Sequence, residues 1–234
     1  MLGSPWIRLD PSIMEKLVDG IRPAKIPSKT YIMRRFEENR HVIAVSSGRI
    51  LLSIDSVQGE SKTVMIAEEG CLIGESSAVY GIPSYINAKA ITESVVYLIP
   101  SDKFRERLRG DAALAWSVIE YLLCKIRLLS SQVDLIALMA PEERLRKILL
   151  WLAATHGVAK EEKENEVRFD IRLTQQNFAE IAGLSRVSVA NAFARLYREN
   201  ILAKENGSVY IKDLNALKKT EPGYALGSPL RPID

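Results

Sequence analysis

Short runs of apolar, β-branched residues broken by polar turns fill the first hundred positions. Residues 29–36, 41–48, 49–56, 62–70, 86–94 and 95–100 are each of strand length, with Gly, Ser, Asn or Pro between them. Turn signals recur at Ser47-Gly48, Gln58-Gly59, Glu69-Gly70 and Gly81-Ile82-Pro83. This spacing predicts a sandwich or jelly-roll barrel. A short helix is expected over 101–108. The period then changes. Neither Gly nor Pro interrupts residues 111–140, and Ile119, Leu122, Ile126, Leu129, Val133 and Ile136 recur at alternating spacings of 3 and 4. That is an a/d heptad seam, the pattern that pairs two helices. Val118, Tyr121, Leu128, Leu135 and Met139 form a second stripe suited to packing on the strand domain. A lone core helix needs only one stripe, so the two together predict a homodimer.

Helical period returns at residues 141–157, opened by Pro141 at a first helical position and closed at Gly157. An acidic, polar loop is expected over 158–167 and a strand over 167–173. Two short amphipathic helices then abut at Gly183, which permits the positive φ of a sharp turn. Thr174 can cap the first, from about Gln175 to Ala182, and Ser185 can cap the second. Phe178, Ile181, Ala182, Leu184, Val189, Phe193 and Leu196 supply the buried faces, with Ala179 small where the helices cross. The opposite face of the second helix shows Arg186, Val187, Ser188, Ala190, Asn191 and Arg195, with no acid before Glu199. A hairpin over 201–213 turns at Asn206-Gly207. Helix, strand, two helices and hairpin make a winged helix, whose second helix enters the DNA major groove. An ordinary helical hairpin with a solvated basic face is the plainer alternative. Residues 216–234, rich in Pro and Gly, read as a loose tail.

Composition changes this picture little. The net charge of +3 over 234 residues is too small to suggest nucleic acid by itself; the local acid-free helix does that. No run of 18 apolar residues occurs, and the first ten residues lack a basic segment followed by an apolar core. Cys71 and Cys124 make no disulfide framework and read as small buried hydrophobes, in keeping with a reducing cytoplasm. Neither a Ser-His-Asp set, a Gly-rich phosphate loop nor a metal-spaced His/Cys cluster is seen, so no enzyme, metal or cofactor is expected.

The order of parts resembles the cyclic-AMP receptor protein / fumarate–nitrate regulator (CRP/FNR) family over about residues 25–215. The residues that carry the resemblance are Ser47-Gly48-Arg49-Ile50, Gly70-Cys71-Leu72-Ile73-Gly74-Glu75, Ala90-Ile91-Thr92, Glu143-Arg144-Leu145, and Leu173 to Gln176 through Ser185-Arg186. It implies an α+β chain with an effector-binding β-roll (1–110) of cyclic-nucleotide-binding-like, double-stranded jelly-roll type. A long dimerisation helix (111–140) and a C-terminal winged helix-turn-helix (141–215) follow. The implied protein is a cytoplasmic homodimeric transcription regulator that binds double-stranded DNA and a small-molecule effector, works as an activator with RNA polymerase, and needs no membrane.

Departures from the family pattern bear on mechanism. Cyclic-nucleotide members follow the Gly-Glu pair, here Gly74 and Glu75, with an Arg-Ser that neutralises the phosphate. No Lys or Arg lies between Glu75 and Asn87, so a phosphate would be poorly compensated, unless Lys125 or Arg127 substitutes. Cyclic AMP is therefore disfavoured. Two cysteines cannot supply the four thiolates of an iron–sulfur member, and His41 and His156 are poorly placed as haem ligands. The resemblance puts the pocket at Gly74, Glu75, Ser76, Ser84, Tyr85, Asn87, Tyr121, Lys125 and Ser130. Tyr faces and a Lys suit an organic acid or a phenolic compound. Tyr121 and Lys125 also have plain readings, as core and as a solvated charge. In the recognition helix, the family's Ser-Arg-Glu-Thr-Val-x-Arg becomes Ser185-Arg186-Val187-Ser188-Val189-Ala190-Asn191. Val187 packs on a thymine methyl, Asn191 pairs with adenine, and Arg186 keeps its capacity for guanine or phosphate. Thr174, Gln175 and Gln176 position phosphates, and Arg195 completes the basic face. The expected target is an A·T-rich inverted repeat. Two rival readings remain: a redox or haem sensor of the same family, and a winged helix used for protein contacts without DNA.

Overall fold

The computed structural model describes residues 7–160, 163–205 and 207–219. Asp10 opens α1 (Pro11–Val18), its carboxylate accepting from Ser12 N at 2.8 Å. The strands β1 (Pro23–Ile26), β2 (Tyr31–Met33), β3 (His41–Ser47) and β4 (Ile50–Asp55) follow. After them come β5 (Ser61–Ala67), β6 (Leu72–Ile73), α2 (Glu75–Tyr80), β7 (Asn87–Ala90) and β8 (Ser94–Pro100). Each of the six expected strand runs overlaps one of these. The two additional strands are short: β1 begins on a proline and pairs only with β8, and β6 has two residues. Two four-stranded antiparallel sheets result, in the orders β1-β8-β3-β6 and β2-β7-β4-β5. This is the β-roll. Val42, Ile43 and Ile99 from one sheet meet Ile50, Leu52 and Met65 from the other in a single apolar core.

The helix α3 (Ser101–Gly110) seals that core with Phe104, and α4 (Ala112–Leu138) then runs through the expected long-helix region. The first part of the second stripe packs as expected: Val118, Tyr121 and Leu128 are buried in the roll core, joined by Leu114, which the stripe did not include. Ile119, Ile126, Leu129, Val133 and Ile136 are exposed by 44–65 %. Leu122 differs from them, being half-buried against the roll. Trp116 and Leu123, which the heptad pattern does not single out, are also exposed. The chain divides into two compact units within α4, at Ser130/Ser131.

The second unit contains the end of α4, then α5 (Pro141–His156), β9 (Gly157–Lys160) and β10 (Lys163–Phe169). Next come α6 (Gln175–Ala182), α7 (Arg186–Arg198), β11 (Leu202–Glu205), β12 (Ser208–Ile211) and α8 (Leu214–Lys218). Its sheet has the order β11-β12-β10-β9. The acidic segment expected to be a loop is instead a hairpin, in which Val158 pairs Arg168 and Gly157 pairs Phe169. Ladder hydrogen bonds need only the backbone, so a polar sequence is no bar to a strand. Gly157 ends the helix, but in extended conformation (φ −81°). A Cβ there would collide with the Ala153 carbonyl and Val167 Cγ1, so close backbone approach selects the glycine. The expected tail also contains an element: α8, capped by Asp213 and anchored by the buried Leu217, crosses its boundary. Asn206 of the expected Asn-Gly turn and residues 220–234 of the tail lie outside the described residues, while Gly207 takes φ +81°.

Candidate functional site

The helix-turn-helix is built by local chemistry. Thr174 Oγ1 accepts from Asn177 N at 3.2 Å, and Asn177 Oδ1 accepts from Thr174 N at 3.0 Å, a reciprocal capping box at the start of α6. Ser185 Oγ accepts from Ser188 N at 3.1 Å at the start of α7. Each cap contributes about 1 kcal/mol. Between the helices Gly183 adopts φ +62°. Phe178 and Phe193 meet edge to face at 5.0 Å and are fully buried with Val189 and Leu196, which fixes the crossing.

The reverse face of α7 is open. Arg186, Val187 and Asn191 are exposed, Val187 by 69 %. Arg186 and Asn191 form no side-chain hydrogen bond or ion pair among the described residues. A 69 % exposed valine beside an arginine and an asparagine on one helix face offers an apolar contact and two hydrogen-bonding groups to a groove. Gln175 and Gln176 stand exposed on the first turn of α6, with Gln176 Nε2 donating to Glu180 at 2.9 Å. Thr174, Ser185 and Ser188 serve as caps or cap partners, Ser188 Oγ lying 2.9 Å from Ser185 Oγ. Arg195 is 60 % exposed but stands in an ion-pair ring. Its guanidinium lies 3.0 Å from Glu142 and 3.1 Å from Glu199, while Arg146 lies 3.2 Å and 2.8 Å from the same two acids. This closed ring docks α7 on α5. The Arg195 charge is already answered, and these two carboxylates hold its pKa above the ordinary value. Glu199, four residues on, is visible in the helix pattern, but Glu142 is distant in sequence and is not.

The expected effector residues divide into separate groups. Glu75, Tyr121 and Lys125 come together. Lys125 Nζ lies 2.7 Å from Glu75 Oε1 and 3.1 Å from Leu72 O, with the two side chains 17 % and 9 % exposed. Tyr121 OH accepts from Leu72 N at 2.8 Å and donates to Leu72 O at 3.0 Å. Burial raises the Tyr121 phenol well above its ordinary pKa, so it stays protonated. Tyr121 is thus both core and polar contact. Lys125 is not a solvated charge: Glu75 holds it. Gly74, at φ +87°, carries Glu75 into α2 and sits against Asn39 and His41 O, where a Cβ would not fit.

Ser84, Tyr85 and Asn87 belong to another cluster. The Ser84 hydroxyl is buried and closes on Ile86 N and O, which leaves it little for a ligand. Asn87 donates to Asp55 at 2.7 Å and accepts from Arg35 N at 2.9 Å. Tyr85 is exposed beside Phe36, and the Arg35 guanidinium lies 4.5 Å and 4.4 Å from their ring centres. Arg35 brings a cation to Tyr85 and Asn87 from the segment after β2, outside residues 75–87. Ser76 and Ser130 are exposed.

Cys71 is buried and its thiol is pushed up to about 11 by desolvation, so it is not a thiolate nucleophile at neutral pH. His156 is enclosed, 3.3 Å from Asp170, and His41 is exposed at the start of β3. Among the described residues, no His/Cys/Asp/Glu group is placed to hold a metal, and no helix is long and apolar enough to cross a membrane.

Comparison with known proteins matches both halves. Residues 23–111 match the family described as cyclic nucleotide-binding domain, and residues 143–220 the Crp-like helix-turn-helix domain. The CRP-like cAMP-activated global transcriptional regulator of Mycobacterium tuberculosis is 24 % identical over 212 residues, 90 % of this chain and 93 % of the relative. Among solved structures, the c-di-GMP responsive global regulator CLP of Xanthomonas campestris superposes with TM-score 0.76 at 14 % identity, covering 86 % of this chain and 99 % of that one. FixK2 of Bradyrhizobium japonicum gives TM-score 0.73 at 16 % identity, covering 88 % and 99 %.

Proposed function

This chain belongs to the CRP/FNR family of transcription regulators, and we propose that it acts as a cytoplasmic homodimer that reads an A·T-rich inverted repeat and activates transcription through RNA polymerase. Its place in the family makes it a ligand-responsive, DNA-binding regulator, and its relatives are regulators rather than enzymes. The observation that carries the finer reading is the face of α7: Arg186, Val187 and Asn191 exposed, with Val189, Phe193 and Leu196 buried behind them. The residue types favour thymine methyl and adenine over the G·C contacts of the family's usual glutamate and arginine. The exposed stripe of α4 supports a second copy as partner, since burying it removes a continuous row of apolar side chains from water.

The effector is a small molecule other than cyclic AMP, with an organic acid or phenolic compound suiting the tyrosines. The Glu75–Lys125 pair supports the exclusion: a phosphate near Lys125 must compete with a carboxylate already 2.7 Å away. Calorimetry with cyclic AMP is expected to give no binding at micromolar concentration, and a micromolar dissociation constant overturns the exclusion. DNA retention measured against salt tests the DNA reading. Phosphate contacts by two protomers should give a slope of log K on log salt of about −4 or steeper, at about −0.9 per contact. A flat dependence favours a winged helix used for protein contacts.

A further inference from the structure

Arg144, on the first turns of α5, is 8 % exposed and has no carboxylate within ion-pair distance among the described residues. Its guanidinium instead addresses four main-chain carbonyls. Nη1 donates to Ala182 O at 3.0 Å and to Gly183 O at 3.3 Å. Nη2 donates to Ile136 O at 3.0 Å and to Met139 O at 3.2 Å. The first pair ends α6 at the turn of the helix-turn-helix, and the second pair ends α4. Helix C-termini leave carbonyls without intrahelical partners and carry the negative end of the helix dipole. One planar fork therefore answers two helix ends at once, which a lysine ammonium cannot reproduce. The enclosure has a cost, because Nε is buried without an acceptor among the described residues.

We propose that Arg144 is the positioning residue that fixes the helix-turn-helix to the last turn of α4, so that the direction of α7 follows that of the α4 turns beyond residue 130. The proposal rests on α7 being the DNA-reading helix. All four contacts lie within residues 131–219, the unit that carries α7. Val133 and Ile136, exposed on the last turns of α4, lie in this same unit; where they pair with a second copy, two such clamps set the separation of the two α7 helices, and hence the half-site spacing that the protein accepts.

The test compares the native protein with Arg144→Lys and Arg144→Met. Each is measured for melting temperature, sedimentation, affinity for a single half-site, and affinity for the selected inverted repeat with its native spacer and with one base pair added or removed. The native protein should prefer the native spacer by about tenfold or more, a typical size for coupling between sites. The variants should remain dimers and keep half-site affinity within about twofold, while the preference for the native spacer collapses. An unchanged spacer preference in a folded variant overturns the proposal. So does a parallel fall in melting temperature, half-site affinity and full-site affinity, or failure of both variants to fold, since Arg144 then merely holds the domain together. If the native protein itself selects no site, the DNA reading fails first, and the two failures are distinguished.

Discussion

Val187 is exposed on α7 and can accept no hydrogen bond. Val187→Glu should move one half-site position from T towards the pair that presents cytosine N4, with discrimination of roughly 1–3 kcal/mol. Competition binding with single-base variants reads this, and an unchanged preference shows that Val187 faces no base. Lys125 and Glu75 form a largely enclosed pair. Lys125→Met leaves a buried carboxylate unpaired and should cost about 3 kcal/mol, while Lys125→Met with Glu75→Gln should recover most of it. Urea denaturation of the native protein and the two variants checks the pattern; equal losses in the single and the double variant would mean the pair is not coupled. Cys71 gives a pH signature. Its folded pKa is about 11 against an ordinary value of 9.0, so the unfolded chain ionises first. The neutral thiol's advantage is complete below pH 9 and is lost as pH rises through 11, a fall of roughly 3 kcal/mol. Cys71→Val should remove that contribution, and an identical alkaline profile in the two proteins would assign it elsewhere.

At the scale of elements, periodicity told most where one face is buried and least where contacts come from far away. The turns of the helix-turn-helix were legible to the residue, because Thr174, Gly183 and Ser185 act within their own helices. The long helix was legible too, but Leu122 matched the heptad and still packs on the roll, since sequence spacing cannot say which of two neighbouring stripes a boundary residue joins. The β9–β10 hairpin was hidden by its charge. Half of the ion pairing of Arg195 is hidden from the helix pattern, because Glu142 comes from α5. The effector set was read as one pocket from family order, yet Ser84, Tyr85 and Asn87 turn to Arg35, Phe36 and Asp55. Ile126 remains the sharpest test of α4. It is 57 % exposed at the centre of the stripe. Ile126→Lys places two cations in the seam and should weaken dimerisation by about 100-fold, or about 3 kcal/mol. Sedimentation over a range of concentrations checks this, and an undisturbed dimer would place the interface elsewhere.

For the molecule as a whole, the fold is a β-roll and a winged helix-turn-helix joined by one helix whose apolar face is left open. Such an arrangement offers DNA two copies of α7 only if α4 pairs, and the two-fold symmetry of the pair then becomes the symmetry of its target. Base preference and dimerisation thus meet in a single observable. Selection from randomised double-stranded DNA by the purified protein measures it most directly. The expected outcome is an inverted repeat with half-sites rich in A·T pairs and centred about 10–10.5 base pairs apart, one turn of DNA. Enrichment of a G·C-rich motif, of a single asymmetric site, or of no sequence at all would contradict it.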